Sequence, residues 1–389
     1  MESLIVNRKL SIWLLFVLFV FAASFFFIDT AKARNNIYYA GFAVPVLIWT
    51  LMNWRSALQF RCDSLLLLLT FFAATALVEF GLMREEMFSV FKHGLYLLML
   101  FIGAHLILQR PSFERYWVCG WGGFILLCLL IASGKWLWIY LSTGQLVRLE
   151  LIAAASNPVH AALMISSGLS AFWLFVIEPR LQRLLPLLLG LALIVAIQVW
   201  VAVIFDARSA LTGVLMFIAG WAFTRRDGLK VLMVVAVLLG GVLQLSGALD
   251  LFMARGVSYR LVIWQDALTR VFEHCGVAFG CGKDGYLFLG QFFHAHNSYL
   301  SVFYHYGLFV ALLGALWAAH YWYWGVRVQS RWFLVSLIGW GGLLTTGSGV
   351  LSSPQPFWLY FWLPILFSMI EIRRLRSAGR SSEAKESHA

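Results

Sequence analysis

Charge is what this sequence has least of. Only 12% of its 389 residues are charged, and 61% are hydrophobic. Soluble domains carry about 25% charged residues, so a soluble fold is excluded. The motifs of several common chemistries are missing too. There is no Walker motif, no Rossmann fingerprint, no metal-binding Asp-x-Asp and no evident carboxylate pair of the glycosidase kind. Neither an internal repeat nor a separable soluble domain is visible.

What is present is a series of long apolar runs. Many reach about 18 residues, enough to cross a hydrocarbon core roughly 30 Å thick. The reading is an all-α polytopic membrane protein with about twelve transmembrane helices. They are placed at 11–28, 38–53, 64–82, 89–108, 117–134, 158–177, 184–205, 209–223, 231–247, 297–322, 332–347 and 357–371. The whole chain, 1–389, is one transmembrane domain. The net charge of +11 reflects basic residues in short loops, a topology signal rather than a nucleic-acid footprint. With the N-terminus inside, inner segments hold pairs or clusters such as Arg8 and Lys9, Arg55 and Arg61, Arg110 and Arg115, Arg225 and Arg226. The positive-inside bias therefore puts both termini on the inner face, with 373–389 as a solvated tail.

Two outer segments are too long to be turns. Residues 135–157 have an aromatic, partly amphipathic start suited to the membrane surface. Residues 248–296 form a long outer loop before the tenth span. Its stretch SYRLVIWQDALTRVF, 258–272, predicts an amphipathic helix. Leu261, Trp264, Leu268, Val271 and Phe272 fall on one stripe, with Gln265, Asp266, Thr269 and Glu273 opposite. A glycine-rich turn, GVAFGCGKDG, follows.

The polar groups that stand out gather on the outer side. Arg208 lies between two apolar spans in IFDARSALTG, where positive charge is disfavoured. Its alternatives are snorkelling or an ion pair with Asp206. Arg260 shares a face with Trp264. His296 and Asn297 open the tenth span, where the helix dipole favours neutral imidazole, the form of a general base; the plainer role is a polar cap. His294 would point elsewhere, and His305 reads as a core histidine bonded to a neighbouring helix. Cys275, Cys281, His294 and His296 could hold zinc, although the spacing matches no known finger. A disulfide between the two cysteines is the other reading on an oxidising side. Cys119 and Cys128 read as packing residues, and Cys62 as a reduced thiol near the inner face.

Two arginines and a histidine suit a substrate that already carries an anionic leaving group. Guanidinium forks stabilise a pyrophosphate, and a neutral imidazole takes a proton from an acceptor hydroxyl. No metal ligand set or cofactor is expected.

DARSAL at an outer helix end, RLVIW in the outer loop, the GCG turn and HAHNSYL at the next helix resemble the O-antigen ligase superfamily. That superfamily takes in lipopolysaccharide O-antigen ligases, O-antigen polymerases and protein O-oligosaccharyltransferases. The resemblance covers most of the chain. It implies a glycosyltransferase of the Gram-negative inner membrane whose long loop faces the periplasm. The donor it implies is a glycan on undecaprenyl pyrophosphate; the ligase acceptor is a sugar of lipid A–core. Arg208 and Arg260 then match the pyrophosphate-binding arginines and His296 the base, with His294 and Asn297 in support. The implied reaction needs neither ATP nor metal. Protein O-oligosaccharyltransferases tend to be longer, so ligase is the leading reading and polymerase the alternative. A membrane transporter fits less well, because the polar groups gather on one face rather than at mid-bilayer.

Overall fold

Helices form wherever the apolar runs are long, and a few polar or glycine residues set their ends. The structure is a computed structural model that describes residues 8–58, 63–82, 87–181, 183–225, 228–245, 259–346, 350 and 352–386. Arg61, Cys62, Arg226 and the opening 248–258 of the long loop lie outside these residues. The first half comprises α1 (Arg8–Phe27), α2 (Ala31–Tyr38), α3 (Val44–Met52), α4 (Trp54–Leu58), α5 (Asp63–Gly81), α6 (Met87–Leu108) and α7 (Pro111–Thr143). The second half comprises α8 (Pro158–Phe172), α9 (Leu184–Ile204), α10 (Arg208–Phe223), α11 (Gly228–Leu245), α12 (Arg260–Arg270), α13 (Ser298–Arg327), α14 (Arg331–Leu343) and α15 (Leu363–Glu386).

Among the described residues, seven helices are long and apolar enough to cross a membrane. They are α1, α5, α6, α7, α8 with its continuation to Arg180, α9 and α13. The fold is that of an all-helical, polytopic membrane protein. Several boundaries differ from the sequence reading. Nothing breaks the chain at 135, so α7 runs on to Thr143 and stops only where Gly144 takes a left-handed conformation (φ 69°). The second run begins earlier, at Ala31, and passes through a π turn at Tyr39–Ala43 into α3. The last helix continues to Glu386, into the segment read as a solvated tail.

Helix starts follow the caps. The Asn157 side chain accepts from the Val159 amide ahead of α8, and Ser330 does the same for Phe333 ahead of α14. The interior is rich in large aromatics, with Trp173, Trp221, Trp332, Trp358 and Trp362 fully buried. α10 and α14 cross at backbone contact. A Cβ on Gly213 would meet the Ile338 carbonyl at 2.5 Å, and one on Gly341 the Thr212 carbonyl at 2.6 Å. Small residues permit such an approach inside a membrane. Thr212 Oγ1 also donates to the Gly341 carbonyl (3.1 Å), fixing the register of the crossing.

α13 is not continuous. At Gly307 the backbone turns to φ 79°, ψ −177°, a region closed to side-chain-bearing residues. The glycine-rich turn fills the break. Cys281 and Gly282 amides donate to the Tyr304 and His305 carbonyls (2.7 and 3.0 Å), and the Leu308 amide donates to the Val277 carbonyl (2.8 Å). Buried irregular backbone is stable only when its polar groups are satisfied in this way. His305 Nδ1 donates to the Gly282 carbonyl (2.6 Å), which ties this loop to the first half of α13. A Cβ at Gly307 would come within 2.2 Å of the Ala278 carbonyl. Gly307→Ala is therefore expected to cost about 3 kcal/mol or more. Thermal melting of the purified protein in detergent checks this, and an unchanged midpoint would count against the break.

Candidate functional site

The long loop has a small core of its own, separate from that of the bundle. Ile263, Ala267 and Val271 of α12 pack with Phe288, Ala295 and Tyr304. This corrects the expected stripe. Val271 is buried, but Leu261, Leu268 and Phe272 face outward, and the buried line is shifted to Ile263–Ala267–Val271. In a membrane protein the apolar side of a helix need not be its inner side, so the hydrophobic pattern alone could not choose the face. Arg260 lies on this inward line, three residues before Ile263 and seven before Ala267.

Ala295, buried in the small core, anchors the strip that carries the two histidines. His296 follows it in a left-handed conformation (φ 50°), which is uncommon for a residue with a side chain. Such strain collects at functional positions. Asn297 then caps α13, its Oδ1 accepting from the Tyr299 and Leu300 amides (3.0 Å each). The imidazole of His296 is half-buried, edge-on to Phe292 and 6.3 Å between ring centres from the exposed His294.

Arg208 is the first residue of α10, and Arg260 the first of α12. A short bridge joins the starts of α10 and α13. Thr345 Oγ1 donates to Ser209 Oγ (2.8 Å), and Ser298 Oγ donates to the Thr346 carbonyl (3.0 Å). The sequence-derived residues are thus brought together from distant parts of the chain. Arg208, Arg260 and His296 each sit where a helix begins, and helix N-termini attract anions.

The electrostatics agree with this convergence. Burial, then the charge of Arg208, lowers the pKa of Arg260. Burial, then His294 and Arg260, lowers that of His296 below the usual histidine value of 6.5. Two guanidiniums held near each other repel, and an anion between them relieves the repulsion. An imidazole kept neutral beside them is available as a base at neutral pH.

Cys275 and Cys281 are disulfide-bonded to each other. Their sulfurs are therefore not available as thiolates for the zinc set with His294 and His296. Closing so small a ring contributes about 2 kcal/mol to holding the turn. Of the other cysteines, Cys128 is buried and Cys119 exposed.

Sequence reasoning missed a polar cluster behind the site. Arg270, at the far end of α12, donates through Nε to Asp284 Oδ2 (3.0 Å) and to the Tyr304 hydroxyl (3.1 Å). Its guanidinium also lies over the Tyr286 ring at 4.0 Å. The Tyr286 hydroxyl donates to Asp266, which also accepts from the Leu289 amide (2.9 Å). No spacing in the sequence marks these partners, because the turn has to fold before they meet.

The comparison with known proteins extends the motif resemblance to the full length. No protein-family model matches the chain, and no solved structure matches it. A curated protein of Pseudomonas aeruginosa named O-antigen ligase is 25% identical over 398 residues, 97% of this chain and 95% of the relative. Over nearly its whole length the chain is similar to this O-antigen ligase. At this identity it supports the family without assigning a donor, an acceptor or the role of any residue.

Proposed function

We propose that this chain is an O-antigen ligase of the bacterial inner membrane. It moves a glycan from undecaprenyl pyrophosphate to a sugar hydroxyl of lipid A–core. In this reading the chain crosses the membrane about twelve times with both termini cytoplasmic. The loop 248–296 and the starts of α10 and α13 then face the periplasm. What supports the reading is that Arg208 and Arg260 open α10 and α12 while His296 stands just before α13, where burial, His294 and Arg260 lower the pKa of the imidazole. An apolar slot of ≈ 230 Å³ supports it further. Tyr299 and Val302, one to two turns below His296, form part of its wall, with Gly314, Ala315, Trp340 and Trp362. Such a slot suits a hydrocarbon chain whose charged end lies at the arginines.

The reaction follows from these parts. Arg208 and Arg260 bind the donor pyrophosphate by charge-assisted hydrogen bonds. The acceptor oxygen attacks the anomeric carbon and gives its proton to His296. The bond from that carbon to the pyrophosphate oxygen breaks, and its electron pair leaves with undecaprenyl pyrophosphate. Attack and departure on opposite sides of the carbon invert its configuration. The arginines supply the positive charge that this departure requires. His294 and Asn297 serve in support, Asn297 by fixing the entry to α13.

The test is a lipopolysaccharide gel of the source bacterium with the gene deleted and then restored. A ligase predicts loss of the whole ladder, single-repeat caps included, with polymer accumulating on undecaprenyl pyrophosphate. Survival of single-repeat caps with loss of long chains would instead identify a polymerase. An unchanged profile would overturn the proposal.

A further inference from the structure

The site is assembled from two bodies. Arg208 belongs to the helix bundle. Arg260 and His296 belong to the small unit of α12, the glycine-rich turn and the first turns of α13. Within that unit the two groups stand on different helices, and something must hold those helices in register. The apolar contacts of the small core are non-directional. A directional link lies about 15 Å along α12 from Arg260, at 1.5 Å per residue.

We propose that Arg270 is a positioning residue. By tying Asp284 of the turn and Tyr304 of α13 to the end of α12, it sets the spacing between Arg260 and His296. This inference rests on the ligase reading for its catalytic consequence, though not for its geometry. The link has the features of a specific lock. Arg270 and Asp284 form an ion pair at 2.9 Å with side chains 27% and 20% exposed, shielded from much of the solvent that weakens surface pairs. The Tyr304 hydroxyl closes the triangle, receiving from Arg270 (3.1 Å) and donating to Asp284 (3.0 Å). Tyr304 is also the residue whose carbonyl receives the Cys281 amide (2.7 Å), so the disulfide-closed turn and the Arg270 lock meet on one residue. Tyr304 stands eight residues after His296, and Ala295 shares its core. A shift of α12 against Tyr304 therefore moves Arg260 relative to His296.

The expected consequence is at His296. Among the described residues, the charged groups acting on it are His294 of its own loop and Arg260 of α12. Arg208 of α10 acts in turn on Arg260. The neighbouring residues 344–346, Leu-Thr-Thr, carry no titratable side chain. Freeing α12 would withdraw Arg260 and admit water, and both changes favour the imidazolium.

The test uses the full-length protein in detergent, as wild type, Arg270→Gln, Arg270→Lys and Tyr304→Phe. Carbethoxylation of His296 by diethyl pyrocarbonate, followed by mass spectrometry across pH, reads its protonation without any substrate. In Arg270→Gln the midpoint is expected to rise toward the ordinary histidine value, by about half a pH unit. Tyr304→Phe should move it in the same direction by less, and Arg270→Lys should lie between wild type and Arg270→Gln. The double variant Arg270→Gln/Tyr304→Phe should be no worse than Arg270→Gln alone, as coupled partners require. In transfer assays, kcat should fall about 10-fold in Arg270→Gln, while the thermal midpoint moves little. An unmoved His296 titration in Arg270→Gln, or additive losses in the double variant, would overturn the proposal. A wild type that shows the low midpoint but transfers no glycan would reject the ligase reading and leave the positioning role standing.

Discussion

His296→Asn is expected to leave the fold intact and to cut glycan transfer by about 10²- to 10⁴-fold, the usual contribution of a general base. Asparagine is the informative replacement. His296 has φ 50°, and Asn tolerates the left-handed region better than most residues. The backbone before α13 is thus preserved while the basic nitrogen is lost. His296→Ala should lose as much activity and also strain the entry to the helix. His294→Ala should matter far less, because that side chain is exposed. The measurement is turnover of a purified, lipid-linked donor in nanodiscs. Equal losses in His294→Ala and His296→Asn would remove the distinction. Transfer near wild type in His296→Asn would remove the base.

The pH dependence of the wild type follows from the same environment. The base acts as neutral imidazole, and burial with neighbouring positive charge lowers its pKa below 6.5. Activity should therefore persist below pH 6.5 and fall only as the pH drops through the depressed value. A rate already halved above pH 6.5 would mean that the imidazole is exposed or paired with an anion.

How much of this was legible in the sequence depends on distance along the chain. Asn297 as a cap, α12 as a helix and the apolar runs as helices all follow from local patterns, and all are present in the structure. The Cys275–Cys281 pairing was one of two local options, and the geometry chose it. Four features were not legible. Glycine within an apolar run is ordinary in membrane helices, so Gly307 gave no sign of the break that the turn completes from outside. The inward face of α12 could not be read because lipid and protein interior are both apolar. Arg270, Asp284 and Tyr304 are separated by 14 and 20 residues and become neighbours only after the turn has docked. The left-handed backbone of His296 belongs to the same class, since no local pattern marks it.

Arg208→Lys is expected to lower kcat/KM by about 30-fold even though the charge is kept. One charge-assisted hydrogen bond is worth about 2 kcal/mol, and each 1.36 kcal/mol is tenfold in rate. A guanidinium fork can present two N–H groups to adjacent phosphate oxygens, whereas an ammonium presents a point charge. The position makes compensation difficult. Arg208 opens α10, whose start is tied by Ser209 to Thr345 and whose next turn is pressed against α14 at Gly213 and Gly341. A shorter-reaching group cannot be followed by a movement of the helix. The loss should fall mainly on kcat. The pyrophosphate gains a further negative charge as it leaves the sugar, so the lost bond is worth more in the transition state than in the bound donor. Arg208→Ala should lose about 10³-fold, because it also leaves Arg260 as the main cation facing that developing charge. Steady-state kinetics with varied donor separate the two effects. A raised donor KM with kcat unchanged would mean that Arg208 holds the substrate but takes no part in the departure of the pyrophosphate.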